Sequence, residues 1–453
     1  MTGLAVFDSD VVKAADAVVA QVLADVRNAV GSRRAVVVAA PAGAGKSFLV
    51  ESAVSALLPN HSIVVVAPTN EQAFDLVRRI ADRLAASHPT IQVANLHKKG
   101  LRPPADVAAR SNVVCFDSPV PNTFSVVVGT LDKIADSLQR GNLDQRDVLI
   151  IDEAYQADAS QYLRAGGAAL THLLVGDPGQ IDPFSTLEDG DYWRGLPEDP
   201  VQTAVAVVLR NHPRTAQHRL PITRRLAPSA ASMAKAFYPG HGFGPAVRPG
   251  VRRLDLALGP RRGSAIDRVI DETAQSGWGY LELPTSVSLA ADEEVISTAV
   301  DVIDRVLGRN PTVECERYAR AVLLPRRLAV AVTHRDQVAQ ARNRLDVAGH
   351  ADVVVDTANR LQGLEFDLVV AVHPLCGQPE PDPFHLDPGR LCVMLTRHRH
   401  GCIVIGRSSD EAVLDGVPPS TPAYVGWDPD PVLDGWAVHK SVYETLSAHR
   451  VRV

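Results

Sequence analysis

The chain has 453 residues, 46% hydrophobic and 22% charged, with a formal net charge of −6 and a pI near 6.2. That composition excludes a disordered chain, and about three typical domain lengths predict two or three domains with sizeable cores. A globally basic protein is excluded too, so any nucleic-acid partner needs a local basic groove.

Five cysteines (Cys115, Cys315, Cys376, Cys392, Cys402) are scattered without a C-x-x-C pair. Neither structural zinc nor an iron–sulfur cluster is expected, and a reducing compartment suits them. With no N-terminal signal pattern and no apolar run of about 18 residues, a cytoplasmic protein without a membrane partner is expected.

Helical spacing between Val11 and Val30 places Val12, Ala15, Val18, Val19, Val22 and Val26 on one stripe, predicting a helix packed on a sheet. Gln21 on that helix is either an adenine reader or a solvated surface residue. Val36-Val37-Val38-Ala39-Ala40 then reads as a buried parallel strand. It runs into Pro41-Ala42-Gly43-Ala44-Gly45-Lys46-Ser47 and a helix from Phe48 to Leu58. This order is a phosphate-binding loop: main-chain N–H groups wrap phosphates, Lys46 reaches the β- and γ-phosphates, and the Ser47 hydroxyl ligates Mg²⁺. The helix N-terminus adds a dipole that favours anions. Ala40 stands where G-x-x-x-x-G-K-[ST] has its first glycine, whereas Gly43 and Gly45 are kept.

A second strand is expected at Ser62–Ala67, then a helix opened by Pro68-Thr69-Asn70 with Asn70 as N-cap and running through Ile80. Residues 87–121 read as an irregular insert. Its Lys98, Lys99 and Arg102 either touch phosphates or are solvated. Phe124–Val128 is a strand ending in Gly129-Thr130, with a helix to Leu138. Val148–Ile151 ends in Asp152-Glu153, the second half of a nucleoside-triphosphate site: Asp152 holds hydrated Mg²⁺ and Glu153 orients and deprotonates the attacking water. Thr171–Val175 ends in Gly176-Asp177-Pro178-Gly179-Gln180, at the sheet edge where open α/β folds bind ligands. Gln180 there either contacts the γ-phosphate or the water, or belongs to a plain turn.

Residues 182–200 are acidic and turn-rich, and Val201–Arg210 reads as helix. A second alternating set follows: a Pro/Gly/Arg-rich stretch over 239–263, a helix at Ala291–Leu307, a strand at Leu328–Thr333 and a helix at Gln337–Leu345. Strands at Val353–Val355, Leu368–Val372 and Cys402–Ile405, with a helix at Arg390–Arg399, complete it. The alternation predicts an α/β fold with parallel sheets in both halves, divided into residues 1–212 and 213–453.

Taken together these stretches resemble superfamily 1 helicases, in the branch of the nonsense-mediated-decay RNA helicase and related DNA helicases. Asp-Glu-Ala-Tyr-Gln at 152–156 is similar to D-E-[AS]-x-Q, and 176–183 to G-D-x-x-Q-L-x-P. Ala-Pro-Thr-Asn at 67–70 and Gly129-Thr130 look like motifs that touch the nucleic-acid backbone. Arg225-Leu226-Ala227-Pro228 with Phe237-Tyr238 resembles Y-R-M-H-P followed by F-Y, with Arg224 in place of the base-stacking tyrosine. Residues 362–367 look like Q-G-x-E-x-D, and 390–397 like R-L-x-V-A-L-T-R.

The resemblance implies two RecA-like domains closing on ATP and Mg²⁺. The first supplies Lys46, Ser47, Asp152, Glu153 and Gln180; the second supplies Arg225 and Arg397 as arginine fingers. It further implies nucleotide contacts from Pro41–Ser47, Asp177, Arg224, Gly363 and Glu365, and contacts to single-stranded DNA or RNA from Pro68, Thr69, Asn70, Thr130 and Thr357. Movement in the 5′-to-3′ sense is implied too. No long insertion interrupts the motifs, so a nearly bare motor is expected, with room for a protein partner that supplies accessory function. The alternative is a nucleotide-switched binding protein that does not unwind. A phosphoacceptor lid, which a small-molecule kinase would need, is not legible.

Overall fold

The computed structural model describes residues 6–183, 199, 202–259, 263–287, 292–419 and 434–453; most of the acidic stretch expected at 182–200 lies outside them. Eight strands form the first sheet: β1 (Ala35–Ala39), β2 (Ile63–Ala67), β3 (Val93–Leu96), β4 (Val113–Phe116), β5 (Val126–Thr130), β6 (Arg146–Ile151), β7 (Ala169–Gly176) and β8 (Ala216–Arg219). Their order is β4-β3-β5-β2-β6-β7-β1-β8, parallel throughout. Runs such as Ile-Val-Val-Val-Ala are apolar on every residue because helices cover both faces. Helices Ser9–Ala29, Lys46–Leu57 and Asn70–Ser87 share one core with the sheet, and Leu131–Gln139, Ala159–Ala165 and Ala204–Asn211 share the other.

Three expectations change here. The stretch 87–121 is not an irregular insert: it carries β3 and β4, which extend the sheet by two short strands. The helix at 70–87 is capped by Thr69 rather than Asn70, in a reciprocal box with Gln72. The division at 212/213 falls too early. β8 hydrogen-bonds to β1 beyond it, and Leu220, Ile222 and Ala246 pack in the first core.

A two-stranded pair, β9 (Ile222–Thr223) and β10 (Gly244–Pro245), sits between the halves. The chain then lays down β11 (Arg253–Asp255), β12 (Trp278–Leu283), β13 (Thr312–Cys315), β14 (Tyr318–Val322), β15 (Leu328–Val332), β16 (Val354–Thr357), β17 (Phe366–Val372), β18 (His398–Arg407) and β19 (Arg450–Arg452). Six of these make a second parallel sheet, ordered β16-β15-β17-β18-β12-β19. Helices again pack on both faces, Glu293–Gly308 and Arg335–Val347 on one, Pro388–Leu395 and Gly435–Ser447 on the other. The remaining three, β11, β13 and β14, form a small antiparallel ribbon. The helix expected over 390–399 stops at Leu395, and His398 to His400 open β18.

Candidate active site

The loop after β1 is shaped by glycine where other residues would be strained. Gly43 and Gly45 take φ of +74° and +96°. A Cβ on Gly43 would lie 2.4 Å from the Arg225 Cβ, so the loop and the segment after β9 are in close contact. That segment also holds the loop's carbonyls: Thr223 Oγ1 donates to Ala42 O at 2.7 Å and Arg224 N donates to Gly43 O at 2.8 Å. Ala40, the departure from consensus, directly follows β1 and donates to Gly176 O at 2.8 Å. Gly45 caps the next helix without a side chain, which leaves its first turn free to face an anion. Gln21 is exposed on the first helix and donates to Asp25 Oδ1 at 3.0 Å, a solvated residue.

Opposite the loop, the ends of β6 and β7 present acids. Lys46 Nζ lies 2.9 Å from Glu153 Oε2 and 3.8 Å from Asp177 Oδ2. Burial works against the Lys46 ammonium, but Glu153, Asp177 and Asp152 outweigh it and raise its pKa. Asp152 is pushed up to about 7, first by burial and then by the negative charge of Glu153. Its Oδ1 is buried without a hydrogen-bond partner among the described residues. Glu153 adopts φ +54°, a left-handed conformation uncommon for a non-glycine residue.

Asp177 is a hub. Gly179 N, the Gln180 amide and the Tyr238 hydroxyl all donate to it, and the same hydroxyl accepts from Ala42 N at 3.0 Å. Gln180 in turn accepts from Gln362 Nε2 at 2.9 Å, a bond between the two halves. The sequence reading missed the roles of Tyr238, Thr223 and Gln362. The F-Y and Q-G motifs marked two of them without saying what they touch.

The arginines divide unexpectedly. Arg225 lies against the phosphate loop through its main chain, while its guanidinium donates to Glu365 Oε2 at 3.1 Å and to Thr396 O at 3.4 Å. Glu365 stays well ionised, held down to about 2: burial opposes this, but Arg225 and Arg399 prevail. Arg397 is completely buried, donating to Val393 O and Thr396 Oγ1, with one terminal nitrogen unpartnered and no carboxylate partner among the described residues. Burial, then repulsion from Arg225, lowers its pKa to about 10. The Arg-His-Arg-His run at 397–400 is thus interior, not a solvated basic face. Arg224 Nε lies 4.0 Å from where a Gly45 Cβ would sit, at the mouth of the loop, and Gly363 turns the chain with φ +83°.

The residues expected to touch nucleic acid share the carboxyl edges of the strands. Pro68-Thr69-Asn70 follow β2, and Thr130 ends β5 in register with Ala67. Thr357 ends β16 in the second sheet, paired with Val332. From β5 across β2, β6 and β7 to β1 is four strand spacings, roughly 19 Å.

An AAA-domain family model matches residues 20–236, and a second AAA-domain model matches residues 288–409. No curated protein matches the chain. Solved structures that align with it include arterivirus nonstructural protein 10 (helicase) in complex with DNA, at 13% identity and TM-score 0.43, over 85% of this chain and 63% of that one. Others are the PRRSV helicase (14%, 0.41, 89% and 58%) and S. cerevisiae Dbp5 bound to RNA and ADP BeF3 (12%, 0.41, 99% and 94%). The chain thus spans less than two thirds of either viral helicase. Overlaps at these scores assign no role to any residue. One AAA-domain match falls on each of the two parallel sheets, so the chain carries two such α/β units in tandem.

Proposed function

We propose that this protein is an ATP-dependent helicase or translocase acting on single-stranded nucleic acid. One observation carries the reading. Arg397 is a buried, charged guanidinium with no carboxylate partner among the described residues, near enough to Arg225 and Asp177 to feel their charge. A buried cation without an anion is costly. The γ-phosphate of a nucleotide on the adjoining loop is the anion that would complete the site.

Ser47 and Asp152 are the residues to hold Mg²⁺, and the unpartnered Asp152 Oδ1 fits a cation. When bound, the ion supplies positive charge at the β,γ-phosphates. Lys46 is paired with Glu153. Turning to the phosphates, Lys46 releases Glu153 to orient and deprotonate water. Gln180, tied to Gln362 across the halves, couples that water to closure. Arg225 and Arg397 neutralise charge on the transferring phosphoryl, an effect worth about 10³-fold or more. Pro41–Ser47, Asp177, Arg224, Gly363 and Glu365 frame the nucleotide. Pro68, Thr69, Asn70, Thr130 and Thr357 line the path of a single strand across both sheets, consistent with the DNA and RNA named for the aligned helicases.

The test is ATP hydrolysis with single-stranded DNA, single-stranded RNA or neither. Stimulation by at least one of them is expected. Turnover that no polynucleotide changes would instead indicate a nucleotide-switched binding protein.

A further inference from the structure

Glu365 and Arg225 lie in sequence motifs; Arg252, Glu316 and Arg399 lie outside the residues assigned to any role above. The structure joins all five. Arg252 forms a two-pronged pair with Glu316, at 2.9 and 2.8 Å. It also donates to the main-chain oxygens of Arg224, at 2.7 Å, and Arg225. Glu316 accepts from Arg399 at 2.8 Å. Arg399 pairs with Glu365, and Glu365 accepts from the Arg225 guanidinium at 3.1 Å. The circuit closes: Arg225 is held at its carbonyl by one end and at its guanidinium by the other. The side chains of Arg252, Glu316 and Arg399 are 3%, 5% and 0% exposed, so solvent screens little of this.

We propose that the antiparallel ribbon, through Arg252 and Glu316, positions Arg225 for phosphoryl transfer; this rests on the ATPase reading above. Arg252 precedes β11 and Glu316 lies in the turn between β13 and β14, so the grip on the Arg225 carbonyl comes from the ribbon, while Arg399 of β18 links it to Glu365. Its charge count has a direction. The ring holds three guanidiniums and two carboxylates, one cation in excess. When the Arg225 guanidinium turns from Glu365 to a phosphate, Arg252 and Arg399 remain with Glu316 and Glu365, a balanced set. The same balance would follow the loss of any one arginine. Arg225 alone, however, is held to a single carboxylate by a single hydrogen bond, whereas Arg252 grips Glu316 twice and Arg399 bridges both acids. Arg225 is therefore the member that leaves most readily, while its carbonyl stays clamped and fixes where the side chain swings. Arg317, on the exposed rim 3.3 Å from Glu365, can follow as that carboxylate is vacated.

Glu316→Gln keeps the shape but removes the charge; Arg252→Lys keeps the charge but cannot span a carboxylate and two carbonyls at once. Both variants are compared with wild type in steady-state ATP hydrolysis, thermal melting, and equilibrium binding of ADP with and without aluminium fluoride, which mimics the transferring phosphoryl. Expected is an ADP affinity within about twofold of wild type, with kcat and the affinity for the aluminium fluoride complex both lowered about tenfold or more. Arg320→Ala, on the same ribbon but outside the ring, should leave all three values within about twofold. Folded variants with wild-type kcat, or with equal losses for both ligands, would overturn the proposal. Failure of both variants to fold would likewise assign the ring to stability alone. If wild type binds no ADP, it is the ATPase reading itself that fails.

Discussion

Glu153 leaves β6 with a positive φ, in a conformation that costs a non-glycine residue about 1–2 kcal/mol. Strain of this kind persists where surrounding contacts enforce it, and here it aims the carboxylate at Lys46. Glu153→Gln should bind ATP normally yet lose at least roughly a hundredfold in turnover, measured by nucleotide binding and hydrolysis on the same preparation. Asp152 gives a pH prediction. Its folded pKa of about 7 lies above the ordinary carboxyl value of 3.8, so between those limits the native state binds more protons than the unfolded chain. Its contribution to stability is then present at low pH and lost as pH rises through about 7. Melting of the ligand-free protein from pH 5 to 8 should show this fall in wild type and not in Asp152→Asn, whereas Mg²⁺ with nucleotide should offset it.

The phosphate loop is held from outside more than from within. Tyr238→Phe removes a buried hydroxyl shared by Ala42 N and Asp177, and should cost about 1–3 kcal/mol in chemical denaturation. The loop and the strands that flank it were legible in the sequence. Runs of three to five β-branched residues ending in Gly, Asp or Thr have few alternatives to a buried parallel strand. Strands β3 and β4 were not, because four residues each, separated by Pro and Gly, give too short a period to recognise. The ribbon escaped for a different reason: β14 is Tyr-Ala-Arg-Ala-Val, mostly exposed, with no buried face to write an apolar pattern. The interior placement of residues 397–400 was also hidden. Whether arginines and histidines are buried depends on partners remote in sequence, such as Glu316 and Glu365.

The Gln180–Gln362 bond joins the turn after β7 of the first sheet to the loop before β17 of the second. Gln362→Ala should weaken the coupling between polynucleotide and turnover, shrinking the stimulation by single strands at least about fivefold, read as the ratio of stimulated to basal rate. Lys46, Asp152 and Asp177, proposed for the nucleotide, and Thr69 and Thr130, proposed for nucleic acid, occupy the same carboxyl edge of the first sheet. A shift of the second sheet along that edge would therefore be felt at both.

The strand pairing of β8 with β1 bears on how such a shift is registered. Only a few residues separate that strand from Arg225, whose neighbour Arg224 is bonded to the loop, so its main chain travels with the first sheet. Glu365 and Arg399 belong to the second. Arg225 is thus less a finger reaching across a cleft than a hand already on the near bank, gripping a rail on the far one. Separating the halves must break that grip, so the side chain proposed to neutralise phosphate is also one that ties the two halves together.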